Sequence, residues 1–206
     1  MAGTLDRATN MKAVLLDFDG VVADTMPMLT RLGTFVISAY FDCPRHSAME
    51  IYKSTCGLPF IEQLRESFPQ GSCDIPAAYF EGRKTELMSA TQPFPDIPPL
   101  LRKLRSAGLK VGLASSTRRA VIETFLLKHK LHFDWVGSIE EGSKSIQLRV
   151  SAGAFGMPLT DITFLGDSER DEAFAANARV AFRRVTPKRD AIQFLMSKCN
   201  ASRQPS

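Results

Sequence analysis

Asp17-Phe18-Asp19 sets two carboxylates two residues apart at the end of an apolar run, Ala13-Val14-Leu15-Leu16. Such a run reads as a buried strand, on which residues two apart point the same way. Both carboxylates then face one crevice at the strand's carboxyl end, where open α/β sheets bind their ligands. Like charges this close repel unless a cation lies between them or one holds a proton. Either arrangement is chemistry. Gly20 follows at once and supplies the backbone freedom for a sharp turn.

Other polar residues fall at comparable places. Val111-Gly-Leu-Ala114 leads into Ser115-Ser116-Thr117, a hydroxyl cluster opening a helix whose first amides could hold an anion. Thr163-Phe-Leu-Gly166 leads into Asp167, with Asp171 four residues on in the first helical turn. Carboxylates from two strand ends, with no His or Cys ligand beside them, favour a hard cation such as Mg²⁺. Each piece also has a plainer reading. The hydroxyls could cap the next helix, Gly166-Asp167 could be a turn, and Lys144 taken alone is a surface lysine.

The elements that must carry these residues are readable from periodicity. Met28, Leu29, Leu32, Phe35, Val36 and Ala39 recur at helical spacing, as do Phe60, Ile61, Leu64 and Phe68. Residues 26–90 hold little β-patterned sequence, so they are expected to form a small helical cap domain inserted between 11–25 and 91–206. The Pro-rich stretch from Gln92 to Pro99 marks its second junction. From Pro98 onward, helices at 100–107, 119–130, 145–155, 169–178 and 191–198 alternate with strands at 109–114, 133–137, 162–166 and 180–185. Alternation of this kind predicts an α/β fold, a doubly wound parallel sheet with helices on both faces.

Composition narrows the function classes. The 206 residues are 44% hydrophobic and 23% charged, ordinary for a globular enzyme, and no stretch has the 18 apolar residues a membrane span needs. Met1 to Asn10 lacks the apolar core of a signal peptide and reads as a disordered lead-in. Four cysteines without Cys-x-x-Cys pairing argue against zinc and for a reducing cytoplasmic setting. The net charge of +4 comes from scattered Lys and Arg without aromatic interleaving. A surface that attracts anionic substrates therefore explains it better than nucleic-acid binding.

Taken in order, these motifs resemble those of the haloacid dehalogenase-like hydrolase superfamily. Asp17-x-Asp19-Gly20-Val-Val-x-Asp24-Thr25 resembles its first motif. Ser115, Lys144 and Gly166-Asp167-x-x-x-Asp171 follow at spacings of 98, 29 and 23 residues that suit the other three. The resemblance spans about 12–185 and implies a Rossmann-like core with a helical cap, on the phosphatase branch. It implies Asp17 as nucleophile, Asp19 as general acid/base and Ser115, with Ser116 beside it, as phosphate-binding hydroxyls. Lys144 would orient the nucleophile and neutralise phosphate charge. Mg²⁺ would be held by Asp17, Asp167, Asp171 and the backbone carbonyl of Asp19. Neighbouring carboxylates are expected to raise the Asp19 pKa so that it holds a proton.

The implied activity is hydrolysis of a small phosphorylated metabolite through an aspartyl-phosphate, by a monomer or homodimer with no nucleic-acid or membrane partner. A phosphomutase, a phosphonatase using Lys53 and a catalytically silent binding module remain open as alternatives. Two departures stand out. The lysine motif reads Gly142-Ser-Lys144-Ser145 where the superfamily has Gly-Lys-Pro. Phe60 stands where the sugar-phosphate mutases have an arginine, which argues against a mutase gripping a second phosphate.

Overall fold

A computed structural model describes residues 11–185, 189–193 and 195. Ala13–Asp17 (β1) forms the centre of a five-stranded parallel sheet. Lys110–Ala114 (β2) and Ile162–Gly166 (β4) flank it, with Trp135–Val136 (β3) and Ala181–Arg184 (β5) at the edges. The order β3-β2-β1-β4-β5 means the chain winds outward from β1, then returns past it to β4. A topological switch point therefore opens between the carboxyl ends of β1 and β4.

Period-two alternation divides the core. Val14 and Leu16 pack with Val111, Leu113 and the helices Ile97–Ser106 (α5) and Arg119–Lys128 (α6) on one face. Ala13 and Leu15 pack with Phe164 and the helices Lys144–Phe155 (α7) and Glu169–Ala178 (α8) on the other. Both faces of the central strand are buried, which is why it reads as a continuous apolar run.

Met26–Tyr40 (α1), Arg45–Ser54 (α2), Phe60–Ser67 (α3) and Asp74–Met88 (α4) follow β1 directly and share a separate apolar cluster. Their two connections to the sheet lie side by side: Ala23 pairs antiparallel with Pro93, and Asp24 N–H donates to the Gln92 carbonyl. Periodicity marked α1 and α3; α2 and α4 carry weaker apolar stripes.

The remaining expected helices and strands appear with shifts at their ends, and the 133–137 strand shortens to two residues. Of the final helix expected at 191–198, residues 191–193 and 195 are helical, and 196–198 lie outside the described residues, as do 1–10. Among the described residues no helix is long and apolar enough to cross a membrane.

The α1–α2 contact depends on Gly33, where an added Cβ would come within 2.1 Å of the Tyr52 ring. Gly33→Ala is therefore expected to cost about 1–3 kcal/mol through overpacking. Gly82→Ala in α4, where a Cβ meets nothing within 4 Å, should instead gain about 0.5–1 kcal/mol. Chemical denaturation of the two variants checks both, and equal effects would show that the Gly33–Tyr52 approach does not govern this packing.

Candidate active site

A cavity of about 350 Å³ opens over the β1/β4 switch point, between the strand ends and α1–α4. Asp17, the last residue of β1, lies at its floor with a side chain only 4% exposed. Its Oδ1 accepts from the Phe18 backbone N–H at 2.7 Å and pairs with Lys144 Nζ at 2.8 Å. Lys144, the first residue of α7, also pairs with Asp171 Oδ1 at 2.7 Å. An ammonium thus sits between two buried carboxylates. Burial alone would lower the Lys144 pKa, but Asp17 and Asp171 outweigh it and hold the lysine charged. Burial pushes the Asp17 pKa well up; Lys144 pulls it down, while Asp171 and Asp167 add to the rise.

Asp167 and Asp171 differ in what they have left to offer. Asp171 opens α8 in a reciprocal cap: its backbone N–H donates to Ser168 Oγ, and its Oδ2 accepts from the Ser168 N–H and hydroxyl. Its other oxygen serves Lys144, and its pKa is lowered: burial would raise it, but Lys144 and Ser168 prevail. Asp171 does not line the cavity, whereas Asp167 and Asp17 do. Burial and the Asp171 charge push Asp167 up to about 6.

Carboxylate oxygens of Asp17, Asp167 and Asp171 all lie within 4.8 Å of one another. A Cβ at Gly20, whose φ is +79°, would fall 2.1 Å from Asp167 Oδ2, so the turn after β1 presses its bare backbone against that carboxylate. Crowded oxygens without soft ligands fit a hard cation. Asp17 and Asp167 face the space where one would sit, and Asp171 is committed to Lys144.

Asp19 lies apart from that cluster. Its Oδ2 accepts from Thr117 Oγ1 at 2.6 Å and pairs with Lys84 Nζ at 2.9 Å, and Lys84 also donates to Thr117 at 2.6 Å. The expectation of a raised Asp19 pKa is corrected here. Burial does raise it, but Lys84 and the hydroxyls of Thr117 and Thr25 outweigh burial and hold it below the usual carboxylate range. The nearest charge is a cation, not the carboxylates counted along the sequence.

The hydroxyl cluster is placed with similar selectivity. Ser115 is fully buried, its Oγ accepts from Thr117 N–H, and it does not line the cavity. Ser116 does line it, and its Oγ donates to the Gly57 carbonyl at 2.8 Å, linking β2 to the loop before α3. The amides of Ser115 and Arg119 are committed to Gln147 Oε1 and Glu140 Oε2.

Lys84 was not singled out in the sequence, yet its signal was there. Ala77, Phe80, Lys84 and Met88 form the buried stripe of α4, and a lysine in that stripe must find a partner indoors.

A family model for haloacid dehalogenase-like hydrolases matches residues 14–185. Solved structures share the fold. They include a predicted phosphatase from Clostridium acetobutylicum (17% identity, TM-score 0.74, covering 94% of this chain and 100% of that one). A second is a mutant of CbbY from Rhodobacter sphaeroides in complex with xylulose-1,5-bisphosphate (22%, TM-score 0.64, 84% of each chain). A third is a family hydrolase from Deinococcus radiodurans with bound phosphate and sodium (17%, TM-score 0.63, 90% and 88%). No curated protein matches the sequence.

The Lys144 pairing yields a test in chelator. Lys144→Met leaves two buried carboxylates face to face and is expected to cost about 3–5 kcal/mol of unfolding free energy. Adding Asp171→Asn should recover part of the loss. Strictly additive losses in urea denaturation would mean that Lys144 and Asp171 do not act as a pair.

Proposed function

The chain belongs to the haloacid dehalogenase-like hydrolase family, and we propose that it is a Mg²⁺-dependent phosphomonoesterase working through an aspartyl-phosphate on Asp17. The observation that carries this reading is the arrangement at the end of β1. A buried carboxylate is fixed by one ammonium and one amide at its Oδ1, leaving its second oxygen toward the cavity. Asp17 and Asp167 would hold the cation, with the Asp19 carbonyl, and the cation would supply charge neutralisation of the phosphate.

The chain's own groups perform the rest. The Phe18 N–H and Lys144 orient Asp17 for in-line attack on phosphorus. Lys144 lines the cavity and can meet the equatorial phosphoryl oxygens, where transition-state charge gathers. Asp171 holds Lys144 in place, and Ser115 holds the turn after β2 through the Thr117 amide. Asp19 faces the departing oxygen and then the water that cleaves the acyl-phosphate. Its base role suits the ionised form that Lys84 maintains; its acid role requires that contact to loosen.

The helices α1–α4 (expected cap 26–90) would close the cavity against water and read the leaving group. Relatives of the same fold bind phosphate or a sugar bisphosphate, which supports a small phosphorylated substrate. Phe60 is buried in the α1–α4 core, 3.9 Å from Phe80 in a stacked pair, and so does not present the cation a mutase uses at that place.

Asp17→Asn should abolish phosphate release from every ester, and retained turnover would sink the nucleophile assignment. Asp19→Ala should slow an alkyl phosphate by about 10²-fold or more while sparing an activated aryl phosphate, whose leaving group needs no proton. Equal losses on both would remove the proton-donor role.

Chelator should silence the protein, and Mg²⁺ should restore it. Asp167→Ala should raise the Mg²⁺ concentration needed for half-maximal rate, measured by titration. Undiminished activity in excess chelator would exclude the metal-dependent reading.

A further inference from the structure

Arg189 lies outside the hydrolytic scheme, yet it grips the segment on which Asp19 stands. After β1 the chain closes a turn. The amides of Val22 and Ala23 both donate to the Phe18 carbonyl, at 3.0 and 2.9 Å, and the Gly20 amide donates to the Ala23 carbonyl at 3.0 Å. The Val21 carbonyl takes no part in these bonds and accepts from Arg189 Nη2 at 3.0 Å. Val21 is fully buried, and a buried carbonyl without a donor is costly.

The same guanidinium holds the second connection between α1–α4 and the sheet. Its Nε pairs with Asp96 Oδ2, and its carbon stands 4.0 Å from the centre of the Phe94 ring. The Phe94 N–H donates in turn to the Val22 carbonyl at 3.0 Å, and the Asp24 N–H donates to Gln92. Residues 21–24 and 92–96 thus form a short ribbon, and Arg189, 13% exposed, spans its sheet-side end. A planar cation suits this place, because it can serve a carboxylate and a carbonyl together while stacking on a ring.

Arg189 is itself anchored. Its carbonyl accepts from the amides of Ile192 and Gln193, and Ala191, Ile192 and Leu195 are buried in the same apolar cluster as Val21 and Val22. Its φ of +58° lies in the left-handed region, which a non-glycine residue keeps where its surroundings fix it. A firm support therefore reaches the turn from 168 residues further along the chain.

The turn matters to the chemistry. It carries Asp19, and at Gly20 its backbone lies against Asp167. Lys84 and Thr117 hold the Asp19 carboxylate at rest. Once the Lys84 contact loosens for proton transfer, the turn beneath has to keep Asp19 in place. Resting on the phosphomonoesterase reading, we infer that Arg189 is a positioning residue for Asp19. By bridging the Val21 carbonyl and Asp96 it fixes the turn after β1, and with it the place of the proton donor against the leaving group.

The test compares Arg189→Met with Arg105→Met, which removes another arginine–carbonyl bond, to His132, at the far end of α5. Each is checked for cooperative unfolding, and Asp96→Asn, which weakens the same bridge from its other side, replaces Arg189→Met if that variant does not fold. Arg189→Met should slow an alkyl phosphate by about 10-fold or more in kcat and an activated aryl phosphate by no more than about 3-fold, because a displaced proton donor costs the poorer leaving group most. Arg105→Met should keep the wild-type ratio of the two rates. Arg189→Lys, which keeps the charge and loses the fork, should fall between. Hydrogen exchange at the Val22 and Ala23 amides should quicken in Arg189→Met relative to the amides of β2.

A general loss of structure would slow both esters alike, so an unchanged ratio in Arg189→Met overturns the positioning role. A wild-type ratio in Arg189→Lys would show that charge alone suffices and overturn the bridge. If wild type cleaves neither ester, the phosphomonoesterase reading fails and takes the role in proton transfer with it. Exchange then decides the clamp by itself: quickening confined to Val22 and Ala23 upholds it, and unchanged exchange removes it.

Discussion

The arrangement of this molecule follows from carboxylates crowded at the ends of β1 and β4. Asp17, Asp19, Asp167 and Asp171 come from two adjacent strand ends, and at low dielectric their mutual repulsion exceeds what packing around them could absorb. Two buried ammonium ions divide the problem. Lys144 takes Asp17 and Asp171, and Lys84 takes Asp19. Asp167 is left lining the cavity, its pKa raised by burial and by the Asp171 charge.

The two lysines come from different layers, and this couples chemistry to architecture. Lys144 belongs to the core, so Asp17 is oriented whatever α1–α4 do. Lys84 belongs to α4, so it is the charge partner, and not the Thr117 hydrogen bond, that ties Asp19 to that layer. Other polar contacts cross the seam: Ser116 to the Gly57 carbonyl, Arg170 to Glu66, Lys128 to the Ser89 carbonyl and His129 with the Thr91 carbonyl. The one ion pair among them, Arg170–Glu66, is partly exposed and contributes about 0–1 kcal/mol. Most of the apolar side chains of α1–α4 form their own cluster, but Met88 of α4 is buried in the sheet-side core and Met28 of α1 packs against both. The Lys84–Asp19 pair is the buried ion pair that ties α4 to the site itself.

The sheet was legible because its signals are local. A doubly buried strand is an apolar run, and the polar residue that ends it is often the one at the crevice; Asp17 and Asp167 line the cavity as that rule expects, whereas at the end of β2 it is Ser116, not Ser115, that does. What the sequence hid depends on contacts made through space. Asp19 reads as one more crowded carboxylate until Lys84, 65 residues on, is seen beside it. Ser115 and Thr117 are equivalent in a hydroxyl run, yet the turn buries the first and aims the second at Asp19. Asp171 looks like a metal ligand by type, and only the cap it forms with Ser168 shows both its oxygens occupied.

The missing proline after Lys144 is explained by what replaces it. Proline would have stiffened the start of α7 through its fixed φ. Here Gln147, fully buried one turn later, makes the loop rigid by side-chain bonds. Its Nε2 donates to the carbonyls of Ser115, Ser138 and Gly142, and its Oε1 accepts from the Ser115 amide. One amide thereby fastens the loop before Lys144 to the end of β2. Ser145, at the position the proline would take, donates its hydroxyl to the Phe174 carbonyl of α8, the helix that carries Asp171. The substitution thus trades backbone stiffness for a tie between the two helices whose side chains meet at Lys144 and Asp171. The lysine is positioned by α7, α8 and β2 together, without a proline in the first turn of α7.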